Sequence, residues 1–142
     1  MSKLSEVLEE FVIKEDCSYS ELARRIGISN SQIIRYKNGV LPKFKQAIKI
    51  ANYFKCSLNF LFGFSNDFKK LTTPLIFDDY NFINKYTNLL EQNKISHYEL
   101  SKKIDICETS LTFWKKHNIP TTSAVLEIAN YFSVSIDFLV CK

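Results

Sequence analysis

Positively charged side chains without acidic neighbours are the main chemical feature of the first half of this sequence. The stretch from residue 22 to residue 66 contains no aspartate or glutamate. A surface of one sign attracts a polyanion, whereas an ordinary solvated face carries both signs, so this stretch favours binding to nucleic acid. Its cations are Arg24, Arg25, Arg35, Lys37, Lys43, Lys45, Lys49 and Lys55.

The charge is divided unequally along the chain, whose net charge is +4. Residues 1–70 carry twelve Lys or Arg and seven Asp or Glu, a net charge of +5. Residues 71–142 carry seven and eight, a net charge of −1. The affinity for a polyanion is therefore expected in the first half.

The other reactive residue types are too scattered for catalysis or metal binding. The histidines, His97 and His117, are twenty residues apart and have no nucleophile or carboxylate pattern nearby. The cysteines form no close pairs, so we expect isolated thiols that fill apolar space. The sequence thus predicts no enzyme, cofactor, metal site or small-molecule ligand. The four cysteines are Cys17, Cys56, Cys107 and Cys141.

Local signals divide residues 1–64 into five short helices. An apolar stripe from Leu4 to Val12 predicts the first. Ser18 and Glu21 form a capping box that opens the second, and Gly27 ends it. Ser29 opens a second box two residues later.

The third helix is predicted to close at Asn38-Gly39, and the fourth to follow Pro42 and run to about Phe54. Its positions Phe44, Ala47, Ile48 and Ala51 are predicted to face inward. Ser57 then caps a short last helix.

The same pattern occurs twice, because residues 19–64 and 97–142 align without a gap at an offset of 78. Their densest identity is residues 50–54 against 128–132. A period of this length fits one small domain, so the chain reads as a tandem duplication. We predict an all-α fold of two five-helix domains, residues 1–64 and 81–142, joined by a partly packed linker of residues 65–80. Asp78 or Asp79 is predicted to cap the next helix.

The segment ELARRIGISNSQIIRYKNG, followed by a proline, IKIANYF and CSLNFLFG, resembles the Cro/repressor helix-turn-helix family. This lambda-repressor-like group is also called the xenobiotic-response-element (XRE) family. The resemblance covers residues 4–64 and recurs in 82–142. It implies that the third helix enters the major groove of duplex DNA with its amino-terminal residues on the base edges.

Helical spacing predicts an outward face on the third helix, with Ile33 and Tyr36 turned toward the body. Arg35 can bond both acceptors of guanine, Asn30 can pair with adenine, and Ile34 can meet a thymine methyl. Gln32 is a further candidate, with the alternative that it serves as the capping partner of Ser29. The outward set is Asn30, Ser31, Ile34, Arg35 and Asn38. By resemblance, the phosphate contacts are Tyr19, Ser20, Lys37, Asn38 and Lys43.

The second copy keeps the fold signals but loses the DNA-reading residues. Phe113 stands at the position of Arg35, and Glu108 at that of Asn30. The turn glycines become Asp105 and His117, and Phe138 is predicted in the core. We therefore favour a degenerate, protein-binding copy over a second DNA reader. The candidate protein interface is Phe113 and Trp114 with the apolar triplet Leu75, Ile76 and Phe77.

The sequence favours a cytoplasmic, homodimeric DNA-binding transcription regulator, a repressor, that acts on double-stranded DNA. Acidic residues near the amino terminus argue against a signal peptide, and no apolar run is long enough to span a bilayer. The alternative is an inhibitor or adaptor, encoded by a mobile element, that uses helix-turn-helix domains to bind protein. Phe113 and Trp114 favour this alternative, whereas the acid-free basic stretch favours DNA.

Overall fold

A computed structural model describes residues 3–78, 81–117 and 120–142. It divides the chain into two compact units, Met1–Leu75 and Ile76–Lys142. The described residues form helices and one isolated β-bridge, which confirms the all-α class.

The first unit contains five helices whose bounds follow from their caps. The Ser18 and Ser57 hydroxyls accept hydrogen bonds from the backbone amides of Glu21 and Phe60 at 3.1 and 3.0 Å. These caps satisfy amides that have no partner within their helices. The five predicted helices are confirmed as α1 (Lys3–Glu15), α2 (Tyr19–Ile26), α3 (Asn30–Lys37), α4 (Phe44–Phe54) and α5 (Leu58–Leu61).

The core of the first unit lies among these helices. The inward positions predicted on α4 are all buried, and Ile50 joins them. The rings of Phe11 and Phe54 stack with centroids 3.6 Å apart, which fixes α1 against α4. Other large side chains that are fully buried in this unit are Leu4, Leu8, Leu22, Ile33, Leu58 and Leu61.

Residues 65–75, which we call the strap, pack along the first unit. The Phe68 ring lies edge-on to Phe60 with centroids 5.2 Å apart. The Leu71 amide donates to the Lys55 carbonyl at 2.8 Å. The Asn52 side chain accepts from the Leu75 amide at 2.7 Å and donates to the Leu75 carbonyl at 3.0 Å. The packing expected of this part of the linker is confirmed.

The second unit begins with a short extended segment and contains five helices in its described residues. Asp78 donates its amide to the Val140 carbonyl at 2.8 Å, and Lys142 donates to the Ile76 carbonyl at 2.9 Å. These bonds flank the antiparallel bridge between Phe77 and Cys141. The helices are α6 (Phe82–Gln92), α7 (His97–Ser101), α8 (Ser110–His117), α9 (Thr122–Phe132) and α10 (Ile136–Val140).

Two predictions for the second unit are wrong. Asn81, not Asp78, occupies the cap position of α6, and the buried Asp78 carboxylate accepts from the Asn81 side chain at 2.8 Å. Asp79 lies outside the described residues. Phe138 is 48% exposed rather than in the core, because α10 buries Ile136, Leu139 and Val140 and leaves Phe138 on its other side.

An aromatic cluster forms the centre of the second unit. The Trp114 ring lies 5.7 Å from Phe82, 5.5 Å from Tyr86 and 5.6 Å from His97, measured between centroids. His97 Nε2 lies 2.9 Å from the Cys107 carbonyl oxygen, which can only accept, so this nitrogen carries the proton. Tyr86 then donates its hydroxyl to His97 Nδ1 at 2.6 Å. Burial raises the pKa of Tyr86, which keeps it a donor.

Candidate nucleic-acid interface

A glycine turn sets the direction of α3 relative to α2. Gly27 adopts a left-handed conformation with φ of 94°, which a residue with a Cβ rarely takes. Both Gly27 and Ile28 donate their amides to the Ala23 carbonyl, at 2.9 and 3.0 Å. Ile28 is buried, so the turn is anchored in the core and α3 projects from it.

The start of α3 is held by the complete capping box predicted at Ser29. The Ser29 hydroxyl accepts from the Gln32 amide at 3.1 Å, and the Gln32 side chain accepts from the Ser29 amide at 3.0 Å. The alternative assignment of Gln32 as the capping partner is therefore confirmed. A base contact by Gln32 would require this bond to break.

The outward face predicted for α3 is confirmed. Ile33 and Tyr36 are 0% and 6% exposed and attach the helix to the body. The Arg35 side chain makes no salt bridge or hydrogen bond within residues 3–78, so its guanidinium is available to a ligand. On the opposite side, the exposed residues are Asn30, Ser31, Ile34, Arg35 and Asn38.

Tyr19 and Lys37, two predicted phosphate contacts, meet at one point. The Lys37 ammonium lies over the Tyr19 ring, 4.8 Å from its centroid. This cation–π contact joins the end of α3 to the start of α2, where Ser20 is exposed. Desolvation and the Glu9 charge raise the pKa of Tyr19, so it stays neutral. Lys43 is exposed at the cap position of α4.

Glu21, just before the acid-free stretch, pairs with two of its arginines. Its carboxylate does not return to Ser18, so the second half of that predicted capping box is wrong. It binds Arg24 through two contacts, one of 3.0 Å, and Arg25 at 3.3 Å. The hydrogen bond from Arg24 lowers the pKa of Glu21. Residues 22–66 contain eight Lys and Arg residues. Among the described residues, six of these eight form no salt bridge: Arg35, Lys37, Lys43, Lys45, Lys49 and Lys55.

Comparison with known proteins agrees with this geometry. Residues 8–61 match the family model described as Helix-turn-helix. Over these residues, the first unit is similar to that family. The match supports DNA binding and transcription regulation by this domain.

The second unit lies outside the matched residues. No curated protein and no solved structure gave a significant match to the chain. Among the described residues, no helix is both long enough and apolar enough to cross a membrane.

In the second unit, α8 stands where the helix-turn-helix domain has α3, but its amino-terminal end is built differently. Cys107 replaces the capping Ser29, and its sulfur lies 3.1 Å from the Thr109 hydroxyl oxygen. This hydrogen bond lowers the pKa of the exposed Cys107 thiol. The Glu108 carboxylate pairs with Lys102 at 3.4 Å, so a negative charge lies where Asn30 lies in the first copy.

Only one of the two α8 residues predicted for the protein interface lies at the surface. Phe113 is 56% exposed, as expected, and its ring centroid lies 4.4 Å from that of His117. Trp114 is 3% exposed, so its predicted role at a surface is wrong. At an offset of 78 it replaces the buried Tyr36, and the signal for its burial was in the repeat itself.

The apolar triplet of the predicted interface, Leu75, Ile76 and Phe77, is divided between the two units. The Leu75 backbone is held by Asn52 in the first unit. Phe77 is half-buried in the bridge with Cys141, and Ile76 is 57% exposed. Ile76 and Phe113 therefore remain the exposed members of the predicted interface.

Proposed function

We propose that the protein is a cytoplasmic, sequence-specific regulator of transcription that reads the major groove of duplex DNA with α3. The observation that carries the proposal is the exposed Arg35 guanidinium on a helix whose other side packs through Ile33 and Tyr36. A planar guanidinium can bond both major-groove acceptors of guanine. Asn30 and Ile34 lie on the same face and supply an adenine contact and a thymine contact.

The phosphate contacts would flank this reading face. Ser20 and the Tyr19–Lys37 pair lie at one end of the helix-turn-helix, and Asn38 and Lys43 follow α3. Such contacts position the domain on the duplex without reading sequence. Occupation of a promoter by this domain would block transcription, so we propose that the regulator is a repressor.

Selection from randomised duplexes followed by two substitutions tests the reading role. Arg35→Ala should weaken binding to the selected site by roughly 1–3 kcal/mol and relax the preference at one base pair. Lys49→Ala is the matched control, because it removes one charge from an exposed position on α4. It should weaken selected and random duplexes to a similar, small extent. Equal losses on both duplexes with Arg35→Ala would show that Arg35 contacts only phosphate.

We further propose that the regulator binds as a homodimer held through the second unit. One recognition helix reads only a few base pairs, and helix-turn-helix dimers place two of them about 34–36 Å apart on one face of the duplex. Phe113 supports this arrangement, because a phenylalanine that is 56% exposed on α8 gains by being covered.

Light scattering tests whether Phe113 lies in the dimer interface. Phe113→Glu should give a monomer with weakened binding to a palindromic site, because a carboxylate would be desolvated at the interface. Tyr98→Glu is the control, since Tyr98 is 59% exposed elsewhere in the same unit. If the Phe113→Glu variant is still a dimer and binds the palindromic site with unchanged affinity, Phe113 does not lie in the dimer interface.

A second candidate function, a protein-binding inhibitor or adaptor, is favoured by the same exposed Phe113 and by the carboxylate of Glu108, which precedes α8. The selection experiment separates the two functions. An adaptor would enrich no duplex sequence, whereas a regulator would enrich one, and Arg35→Ala would relax the preference at one base pair of it.

A further inference from the structure

Lysine is the only residue type that is exposed on α4. Lys45 and Lys49 are exposed and lie one helical turn apart, whereas the other residues of this helix are buried or half-buried. Lys43, at the cap position before α4, and Lys55, which ends it, are also exposed. We call these four residues the α4 lysines. They give the exposed side of this helix a charge of one sign.

The fold does not require the α4 lysines, because the second unit forms the same helix without them. α4 and α9 each contain eleven residues. They end in the same left-handed conformation, with φ and ψ of 56° and 43° at Lys55 and 55° and 40° at Ser133. None of the four lysines is kept in the second unit. Their equivalents at the offset of 78 are Thr121, Ser123, Glu127 and Ser133.

The α4 lysines also oppose the local stability of their helix. Lys43 makes no side-chain hydrogen bond at the cap position, whereas the Thr121 hydroxyl accepts from the Ala124 amide at 3.3 Å. Lys45 lies in the first turn, where the helix dipole favours negative charge. Lys49 repels Lys45, since like charges four residues apart destabilise a helix. Residues that conflict with local stability are typical of a functional site.

Among the described residues, the α4 lysines have no acidic partner. From α1, the Glu15 carboxylate accepts from the Tyr53 hydroxyl of α4 at 3.0 Å and pairs with Arg25 at 3.8 Å. From α2, Glu21 pairs with Arg24 and Arg25. The helices α3 and α5 contain no acidic residue. The ammonium groups of the α4 lysines are therefore available to an anionic ligand.

The strap adds positive charge at the end of α4. The Leu71 amide donates to the Lys55 carbonyl at 2.8 Å, and the exposed Lys69 and Lys70 directly precede Leu71. Asp67 is the one acidic residue among residues 65–75, so two lysines and one aspartate give the strap a net charge of +1. The positive surface therefore continues beyond the last of the α4 lysines.

We propose that the α4 lysines form a second DNA contact, which holds the phosphates of the duplex next to the site that α3 reads. This inference rests on the proposed DNA-binding function. Lys43 is shared by both surfaces, because it also belongs to the proposed phosphate contacts beside α3. From Lys43 to Lys55 the chain rises about 18 Å, at about 1.5 Å per residue. This length matches about five base pairs, at about 3.4 Å per phosphate of one strand.

The chemistry of lysine limits what this second contact can do. An ammonium group is a compact point charge, which lacks the planar fork by which arginine recognises guanine. Phosphate contacts of this kind position a protein on the duplex and carry no sequence information. The α4 lysines would therefore lengthen the bound duplex and strengthen binding without changing the sequence that α3 selects.

The salt dependence of binding to a long random-sequence duplex tests the contact in the full chain. For the double variant Lys45→Gln with Lys49→Gln, the slope of log K against log salt should become shallower by about 0.9 for each lysine that neutralised a phosphate. Lys94→Gln with Lys103→Gln is the matched control, because it removes two exposed lysines from the second unit. It should leave the slope unchanged. Lys45→Arg with Lys49→Arg keeps both charges and should keep the slope.

Hydroxyl-radical footprinting on the selected duplex locates the contact. The wild-type chain should protect about five base pairs beside the bases that α3 reads, as the length of the lysine series requires. Lys45→Gln with Lys49→Gln should lose this flanking protection and keep the protection at the selected bases. Flanking protection that the double variant retains would overturn the proposal.

Three results of the salt titration would also overturn it. One is an unchanged slope for Lys45→Gln with Lys49→Gln in a chain that circular dichroism shows to be folded; Arg35→Ala would still report sequence reading, so the proposed function would stand. Another is an equal loss in the control pair, which would mean that only net charge matters. The third is a wild-type chain that binds poly-L-glutamate but no duplex. Both the proposed function and this inference would then fail, and the α4 lysines would belong to a site for an acidic protein.

Discussion

The turns between the second and third helices of the two units differ, although the sequences that open α2 and α7 are alike. The Ser18 and Ser96 hydroxyls accept hydrogen bonds from the backbone amides of Glu21 and Glu99. α2 is eight residues long and ends at Gly27, whose φ of 94° lets the chain turn sharply. Asp105, at the same position, does not adopt positive φ, and α7 ends after five residues. The helix before the recognition position is therefore shorter in the second unit, where no glycine ends it.

The helices after the turn show a second difference. The capping box at Ser29 starts α3 at Asn30, whereas Cys107 stands at the capping position of α8, which starts at Ser110. The buried anchor is nevertheless kept, as Tyr36 in one unit and Trp114 in the other. The packing side of this helix is therefore retained, whereas its outward-facing residues have been replaced.

The largest effect is expected from adjacent residues on α8. Trp114→Ala should destabilise the second unit by about 3–5 kcal/mol, because it leaves a cavity beside Phe82, Tyr86 and His97. Phe113→Ala should change stability by no more than about 0.5 kcal/mol in a monomer, because its side chain is largely exposed. Native-state hydrogen exchange of α6 and α9 measures both. Similar losses would mean that the two faces of α8 are not distinct.

A smaller effect is expected at the turns. Gly27→Ala should destabilise the first unit by about 1–2 kcal/mol, because φ of 94° is unfavourable for a residue with a Cβ. Nothing lies within 4 Å of an added Cβ there, so the cost is conformational and not steric. Asp105→Ala should have little effect. Denaturant unfolding followed by circular dichroism compares them, and an unaffected Gly27→Ala would contradict the role assigned to the turn.

The smallest effect concerns two glutamates at equivalent positions. Glu21 pairs with Arg24 and Arg25, and Arg25 also pairs with Glu15 at 3.8 Å, so Glu21→Gln should release Arg24 and strengthen binding to random duplexes. If Arg24 then neutralises one further phosphate, the salt slope should steepen by about 0.9. Glu99 accepts instead from the Ser96 amide at 3.3 Å, a bond that glutamine can also make, so Glu99→Gln should change neither quantity. Fluorescence anisotropy at several salt concentrations distinguishes these outcomes.

Much of the fold could be predicted because its signals are local. Capping serines, turn glycines and the helical spacing of apolar residues act within a few positions, and they gave the helices of the first unit. The inward direction of Ile33 and Tyr36 followed from the same spacing. The outward face of α3 was therefore predictable from sequence.

The errors fall where side chains had a choice of partners. Glu21 could bind Ser18 or the arginines, and a charged hydrogen bond to Arg24 prevailed. Asp78 could cap a helix or bind Asn81 in a buried site, and no periodic pattern distinguishes these. Trp114 follows the exposed Phe113 in sequence, but its burial matches that of its repeat partner Tyr36. The hydrogen bonds between Asn52 and Leu75 join residues that are 23 positions apart, and patterns within a few positions of the sequence cannot predict them.

The most direct test of the claim that only the first unit reads DNA is an NMR titration of the ¹⁵N-labelled full chain with its selected duplex. Our account predicts that the largest shifts fall on the Arg35 side-chain Nε–H, the Asn30 amide group and the backbone between Tyr19 and Lys43. The amides of Thr109 to Lys116 should move little. Comparable shifts on α8, or an undisturbed Arg35, would contradict the account.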